Sequence, residues 1–369
     1  MLPTKSRLRS ITTAVTATAA LLAASGMAKA EDIKLRMASG HAAATPYVNL
    51  MTTFFGPEVT KRVKERTKHT VEFVEGYGGA MVKTADTLEG VQTGIIDIGG
   101  YCMCFEPSNL PLHAFQVMLP FGTMSAVKSG QIARAVYDKV PYMSKVMEDK
   151  FAQKQLALIA DNGYNLNTTF DWNTLADLKG RKIAGAGLNL KWLEYAGVTG
   201  VQSSAVEGYT SMQTGVFQGF IIFPSITVTL KWYEVAKYYT LIDFGAITWH
   251  TLNVNKAKWA KLPKDVQDVI LEVAKEFEKK TGTVNEENYP KQLDFIKAQG
   301  GTVKAVPDAV KADWAKSLAG WPQEKASELD GKGIPASQVL RLALEEAEKV
   351  GHKWPLRYEI KEMKESAKK

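Results

Sequence analysis

Between residues 33 and 98 the chain reads strand, helix, strand, helix, strand, and that order leaves few architectures open. Ile33, Leu35 and Met37 alternate with Lys34 and Arg36, the period of two that a half-buried strand requires. Thr45 and Pro46 then supply an N-cap and a first helical proline. Val48, Met51, Phe55, Val59 and Val63 follow at near-helical spacing, but Gly56 and Pro57 interrupt the stripe, which predicts a kink or two short helices. Residues 70–74 predict a second strand, a glycine-rich turn leads to a helix carrying Leu88 and Val91, and residues 95–98 predict a third strand. Strands alternating with helices in this way build a mainly parallel sheet covered by helices, an α/β fold.

The series resumes with strands at residues 156–160 and 181–184, a helix through residues 191–195 and a strand near residues 200–202. A chain of roughly 340 residues after its leader favours two lobes over one core. The expected division is lobe I at residues 31–162, with about 248–287 returning to it or bridging, and lobe II at residues 163–247 with part of 288–369. Val266, Val269, Ile270, Val273, Ala274 and Phe277 mark one face of a long helix that continues past Glu286 and braces both lobes.

Lys5, Arg7 and Arg9 precede an uncharged, Ala-rich stretch that ends in Ala28, Lys29 and Ala30. A basic start, an apolar stretch and small residues two apart make a secretory signal, with cleavage expected after Ala30 and export to the periplasm. No later segment has the run of about twenty apolar residues that a spanning helix needs. Removing the four basic leader residues from a formal charge of +7 leaves about +3. The remaining basic residues are scattered, so a nucleic-acid footprint is missing. Cys102 and Cys104 read as a strand end, where residues two apart share a face but lie too far apart for an unstrained bridge. Two small, buried, unlinked residues are expected there, with a strained or reducible disulfide as the alternative.

The order of motifs resembles that of the substrate-binding subunits of tripartite ATP-independent periplasmic (TRAP) transporters, the DctP-like family. Residues 87–99, Leu119-Pro120-Phe121, the Asp177-Leu178-Lys179-Gly180 block, residues 207–215, residues 231–239 and residues 255–263 carry the resemblance. Six blocks in the right order are far more specific than any one. The resemblance implies a two-lobed periplasmic binding protein, type II-like, with crossing strands, a long bridging helix and hinge closure on a ligand. It also implies integral membrane TRAP subunits as partners and a small organic acid as ligand; no cofactor and no metal ligand set are read from the sequence, and whether a metal helps to hold a carboxylate stays open.

The resemblance fails at the ligand. Relatives place an arginine directly after the Lys-x-Ile of the second-lobe block, because a guanidinium fork matches a carboxylate bidentately. Here that residue is Ala184; two further polar positions of relatives become Asn165 and Ile222. Either another cation substitutes, for which Lys191 and Arg181 are nearest in sequence, or the ligand is neutral or cationic, with Glu75 or Glu106 as counter-charge. Trp172, Phe220 and Phe223 could stack on a cyclic or aromatic ligand. His41 and Tyr101 follow strands whose ends open toward a cleft in α/β sheets, and Asn165 and Asn189 offer both a donor and an acceptor.

The parts of an enzyme are missing. There is no G-x-S-x-G elbow, no H-E-x-x-H or C-x-x-C metal spacing, and the Gly185-Ala186-Gly187 run lacks the third glycine of a dinucleotide loop. A monomeric binding protein is expected. A periplasmic sensor built on the same fold is the other binding role, and a periplasmic enzyme the other class.

Overall fold

In the computed structural model, residues 30–362 are described, and the expected secretory leader falls almost wholly outside them. The chain forms two sheets. β1 (Asp32–Ser39), β2 (Thr70–Tyr77), β3 (Ile98–Cys102) and β4 (Gln153–Gly163) build most of the first, and β5 (Asn165–Thr168), β6 (Lys182–Gly185), β7 (Thr199–Gln202), β8 (Gly219–Ile222) and β9 (Tyr238–Leu241) most of the second. β10 (Ala246–Asn255) returns to the first sheet and β11 (Thr302–Ala305) extends the second. The orders are β2-β1-β3-β10-β4 and β11-β9-β5-β8-β6-β7. β1 runs parallel to β2 and β3, whereas β10 is antiparallel to both of its neighbours.

Two crossings join the lobes, from β4 to β5 through Tyr164 and from β9 to β10 through residues 242–245. The strands are knitted at this point: the Tyr164 N–H donates to the Gly245 carbonyl at 2.9 Å and the Phe244 N–H to the Tyr164 carbonyl at 3.2 Å. Gly245 has φ of +115°, and a Cβ there would sit 3.0 Å from the Gly122 nitrogen, so this turn needs glycine for both conformation and space.

The helix Lys264–Ala298 runs past both crossings. At 35 residues it spans roughly 50 Å. Its first half is tied to lobe I through Arg62 with Glu272 and Glu276, and through Arg134 with Glu278. Asn285 donates to the Ala160 carbonyl, and farther on Phe295 meets Tyr233 of lobe II edge to face. Pro290 removes one N–H from the ladder without ending the helix.

The interrupted stripe at Gly56 and Pro57 resolves without a break. Helix Pro46–Leu50 passes through a π-turn at Met51–Phe55 into helix Gly56–Arg66. One wide turn absorbs the carbonyl that Pro57 cannot satisfy. Two expectations are corrected. The third strand begins at Ile98 rather than Ile95, because Gly94, with φ of +75°, ends the preceding helix and residues 95–97 form the turn out of it, leaving Ile95 exposed. Cys102 and Cys104 form a disulfide: a 3₁₀ turn at Met103–Phe105 follows the strand at once and brings their Cα atoms to 5.1 Å, closer than a continuing strand allows. Thiol labelling of the denatured, unreduced protein is therefore expected to find no free cysteine; stoichiometric labelling of both would contradict the bridge.

Candidate functional site

Where the strand ends of the two sheets face each other, a narrow cleft of about 50 Å³ lies between the lobes. Lobe I contributes His41 from the loop after β1, Thr45, Phe105 and the Cys102–Cys104 disulfide; lobe II contributes Ser203, Phe220, Phe223 and Ile226. Thr45 occupies the N-cap position but makes no capping bond. The crossing residue Tyr164 stands at the centre, with Phe223 at 5.1 Å and Trp249 at 5.5 Å, both edge to face. Aromatic rings held in this way present flat apolar walls at little entropic cost.

The polar side of the cleft is built from imidazoles. The His41 Nδ1 lies 2.6 Å from the Tyr47 hydroxyl, which also reaches Ser39 Oγ at 2.9 Å and donates to the Gly100 carbonyl at 3.2 Å. His41 and His250 have ring centroids 5.4 Å apart. Behind His250 lies Asp161, a buried carboxylate near the end of β4. Its Oδ2 accepts the Trp249 indole N–H at 2.9 Å and, at 3.5 Å, the Tyr164 hydroxyl. The same oxygen is 2.8 Å from His250 Nδ1, although the ring N–H is not aimed along that line, so the contact is electrostatic rather than a formed hydrogen bond. A bulge creates this corner. Thr248 pairs with Ala160 and His250 with Ile159, so Trp249 is the extra residue, and the local twist turns Trp249 and His250 onto Asp161.

Burial, with a smaller contribution from His250, pushes His41 down to about 3, so it is neutral at physiological pH. Burial likewise lowers His113, deep in lobe I, to about 4. Histidines whose folded values lie below the ordinary 6.5 contribute stability that is fully present above 6.5 and is lost as pH falls toward the folded values. Urea unfolding at about pH 7 and about pH 5 is expected to show the lower stability at the acid end.

Of the residues that sequence singled out, the structure brings His41, Phe220 and Phe223 to the cleft. The others lie elsewhere. Tyr101 donates to Gln153 and accepts from Asn253 inside lobe I. Glu106, half-buried, accepts from Asn109, and Glu75 accepts from Thr52 on the surface. Trp172 packs against Trp314 in the lobe II core. Lys191 pairs with Glu194, and Arg181 stacks over Phe170. Asn189 is fully buried with neither amide atom partnered. Asn165 is committed to the hinge: its Oδ1 accepts the Ile242 and Asp243 N–H groups at 2.8 and 2.9 Å, and its Nδ2 donates to Tyr289. Asn165→Ala strands two backbone donors and is expected to cost about 2 kcal/mol of stability in urea unfolding; a change within experimental error would show that water takes over the bonds.

Asp161, Tyr164, Trp249 and His250 are not marked out by the sequence. The available signals were a carboxylate directly after the apolar run of β4 and a histidine inside the ten-residue, wholly buried strand β10. Neither pattern shows that a bulge brings them together.

Two α/β lobes that exchange strands at a hinge, share a bridging helix and enclose a cleft are the architecture of a bacterial solute receptor. The chain belongs to the family described as bacterial extracellular solute-binding protein, family 7 (DctP), which it matches over residues 43–327. Members of this family are periplasmic binding proteins, not enzymes, and work with TRAP membrane subunits. A TRAP periplasmic solute-binding protein from Desulfovibrio salexigens is 25% identical, with a TM-score of 0.73 over 87% of this chain and 97% of that one. A marine metagenome TRAP protein specific for pyroglutamate has a TM-score of 0.76 at 19% identity, over 85% and 99% of the two chains. A third, from Bordetella bronchiseptica with bound mandelate, reaches 0.75 at 20% identity, over 86% and 99%. Among the described residues no helix is long and apolar enough to cross a membrane.

Proposed function

We propose that this chain is the exported, monomeric receptor of a TRAP-type transporter and that its ligand is a small organic acid carrying a ring. The observation that carries this reading is the cleft wall of Phe105, Tyr164, Phe220, Phe223 and Trp249, set against His41, His250 and Ser203. Flat apolar faces suit a ring, and a few convergent polar groups fix its orientation. Pyroglutamate and mandelate, which structural neighbours bind, are both carboxylates that carry a ring. Lobe I and lobe II each supply part of the wall, so a ligand touching both favours the closed arrangement, and closure is the state a membrane partner reads. Export places the leader outside the working protein, with cleavage after Ala30.

Thermal-shift screening of the mature protein with mandelate, pyroglutamate, mandelamide and phenethylamine tests the reading, since a ligand of the folded state at a hundred times its Kd adds about 2.7 kcal/mol of stability. The acids are expected to raise Tm and the neutral and cationic compounds to leave it unchanged. Phe223→Ala is expected to weaken binding of the acid about tenfold. Stabilisation by phenethylamine alone would replace the organic-acid reading by a cation-accepting one.

A further inference from the structure

Among the described residues, an organic acid entering this cleft meets no arginine or lysine on its wall. The position at which the resemblance places the arginine is Ala184, a buried methyl in β6 paired with Phe220. The basic side chains nearest in sequence are occupied elsewhere, Lys191 with Glu194 and Arg181 on the face of Phe170. A carboxylate taken from water into such a site without a cation loses several kcal/mol. The described side chains on the wall that can take up a positive charge are His41 and His250.

The two histidines are not equivalent. His41 has the Tyr47 hydroxyl on one nitrogen and a second imidazole beside it, with no acid in contact among the described residues. His250 has the Asp161 carboxylate 2.8 Å from its Nδ1. Asp161 is itself buried, and its other neighbours, the Trp249 indole and the Tyr164 hydroxyl, are neutral donors. His250 is thus the one wall imidazole with a buried carboxylate directly behind it, the counter-charge that His41 lacks. We infer that His250, with the Asp161 carboxylate beside it, replaces the missing arginine as the cation that receives the ligand's carboxylate. The inference rests on the organic-acid reading and adds the residue that selects for it. Asp161 acts through His250 as a positioning residue.

The titratable groups around His250 fit this assignment. Asp161 on β4 is the one acid in contact with it among the described residues. His41, after β1, is neutral, and Tyr47, on the first helix, and Tyr164, at the crossing, have hydroxyls that burial drives further from ionisation. The cysteines of β3 and its turn are joined and do not titrate. His250 and Asp161 are therefore the pair at this wall on which the assignment rests, with neutral groups around them.

The experiment is calorimetric titration of the mature protein with mandelate and pyroglutamate from about pH 6 to about pH 9, alongside NMR titration of the imidazoles. Both acids stay ionised in this range, so any pH dependence belongs to the protein. Affinity is expected to fall as pH rises, approaching about tenfold per unit above the point where His250 loses its proton. His250→Gln keeps an amide donor without charge; its affinity at the acid end is expected to drop at least about tenfold and to become independent of pH. Asp161→Asn shifts the fall in affinity to lower pH, and if that variant does not fold, the glutamine variant and the NMR titration still decide. Wild-type affinity without pH dependence, or a glutamine variant that binds like wild type, overturns the assignment and leaves the organic-acid reading standing. Mandelamide binding as tightly as mandelate overturns the organic-acid reading itself. His250 found neutral at about pH 6, with or without acid, overturns the assignment even if neither acid binds.

Discussion

Gly40→Ala is expected to lower the unfolding free energy by about 4 kcal/mol and to displace His41 from the cleft, because an obstacle of main chain costs more than the roughly 1–3 kcal/mol of ordinary overpacking. Gly40 lies between β1 and His41, where the chain turns under Lys83 and Thr84. A Cβ there would sit 2.2 Å from the Thr84 nitrogen, 2.3 Å from its Cα and 2.5 Å from the Lys83 carbonyl carbon. All three are backbone atoms, so no side-chain rotation relieves the overlap. Space rather than conformation fixes this glycine, since its φ is not in the left-handed region. The segment must move away from residues 83–84, carrying with it the Ser39 and His41 contacts to Tyr47. Urea unfolding and mandelate titration measure the two effects. Gly130→Ala is the control: it lies in helix Ala126–Lys139 with only Ala160 at 3.8 Å, and it is expected to stabilise by about 0.5–1 kcal/mol. Equal stabilities for the two variants would contradict the close approach of Gly40 to residues 83–84.

The alternation of strands and helices was legible because it depends on local spacing. Ile33, Leu35 and Met37 point inward on β1 as their period requires, and Val266 through Phe277 lie buried along the long helix. The departure at Ala184 was equally plain, because it depends on one motif. The residues that replace that arginine were hidden, since Asp161 and His250 are far apart in sequence and meet only through the β4–β10 pairing and its bulge. Asn165 illustrates the opposite error: an amide at a loop-like position suggested a ligand, but the crossing needs that amide to hold residues 242 and 243. The cysteine bridge failed for a similar local reason, because spacing along an assumed strand cannot reveal that the strand ends at Cys102.

Trp192→Ala is expected to remove about 4 kcal/mol of stability and to loosen the relation between the lobes, whereas Trp192→Phe costs about 1–2 kcal/mol. Trp192 belongs to the short helix Lys191–Glu194 of lobe II and is fully buried. Its indole N–H donates at 2.7 Å to the Val117 carbonyl, in the Phe115–Met118 turn whose Phe115 and Met118 are packed in the lobe I core. Its ring stacks on Phe244 of the second crossing at 4.8 Å, and its own carbonyl accepts the Trp314 indole N–H at 2.7 Å. One side chain thus joins lobe II, lobe I, the hinge and a later helix. Alanine deletes the ring and leaves a cavity at their junction, a loss in the upper range for buried aromatics. Phenylalanine keeps most of the stacking on Phe244 and gives up only the bond to Val117. Urea unfolding ranks the three proteins, and small-angle scattering of each, with and without mandelate, reads the spacing of the lobes. If both variants lost the same stability, the hydrogen bond to Val117 and not the ring would hold this junction. If the alanine variant were as stable as wild type, the lobes would be held by the crossing strands and the long helix alone, and closure would be free of any brake from the core.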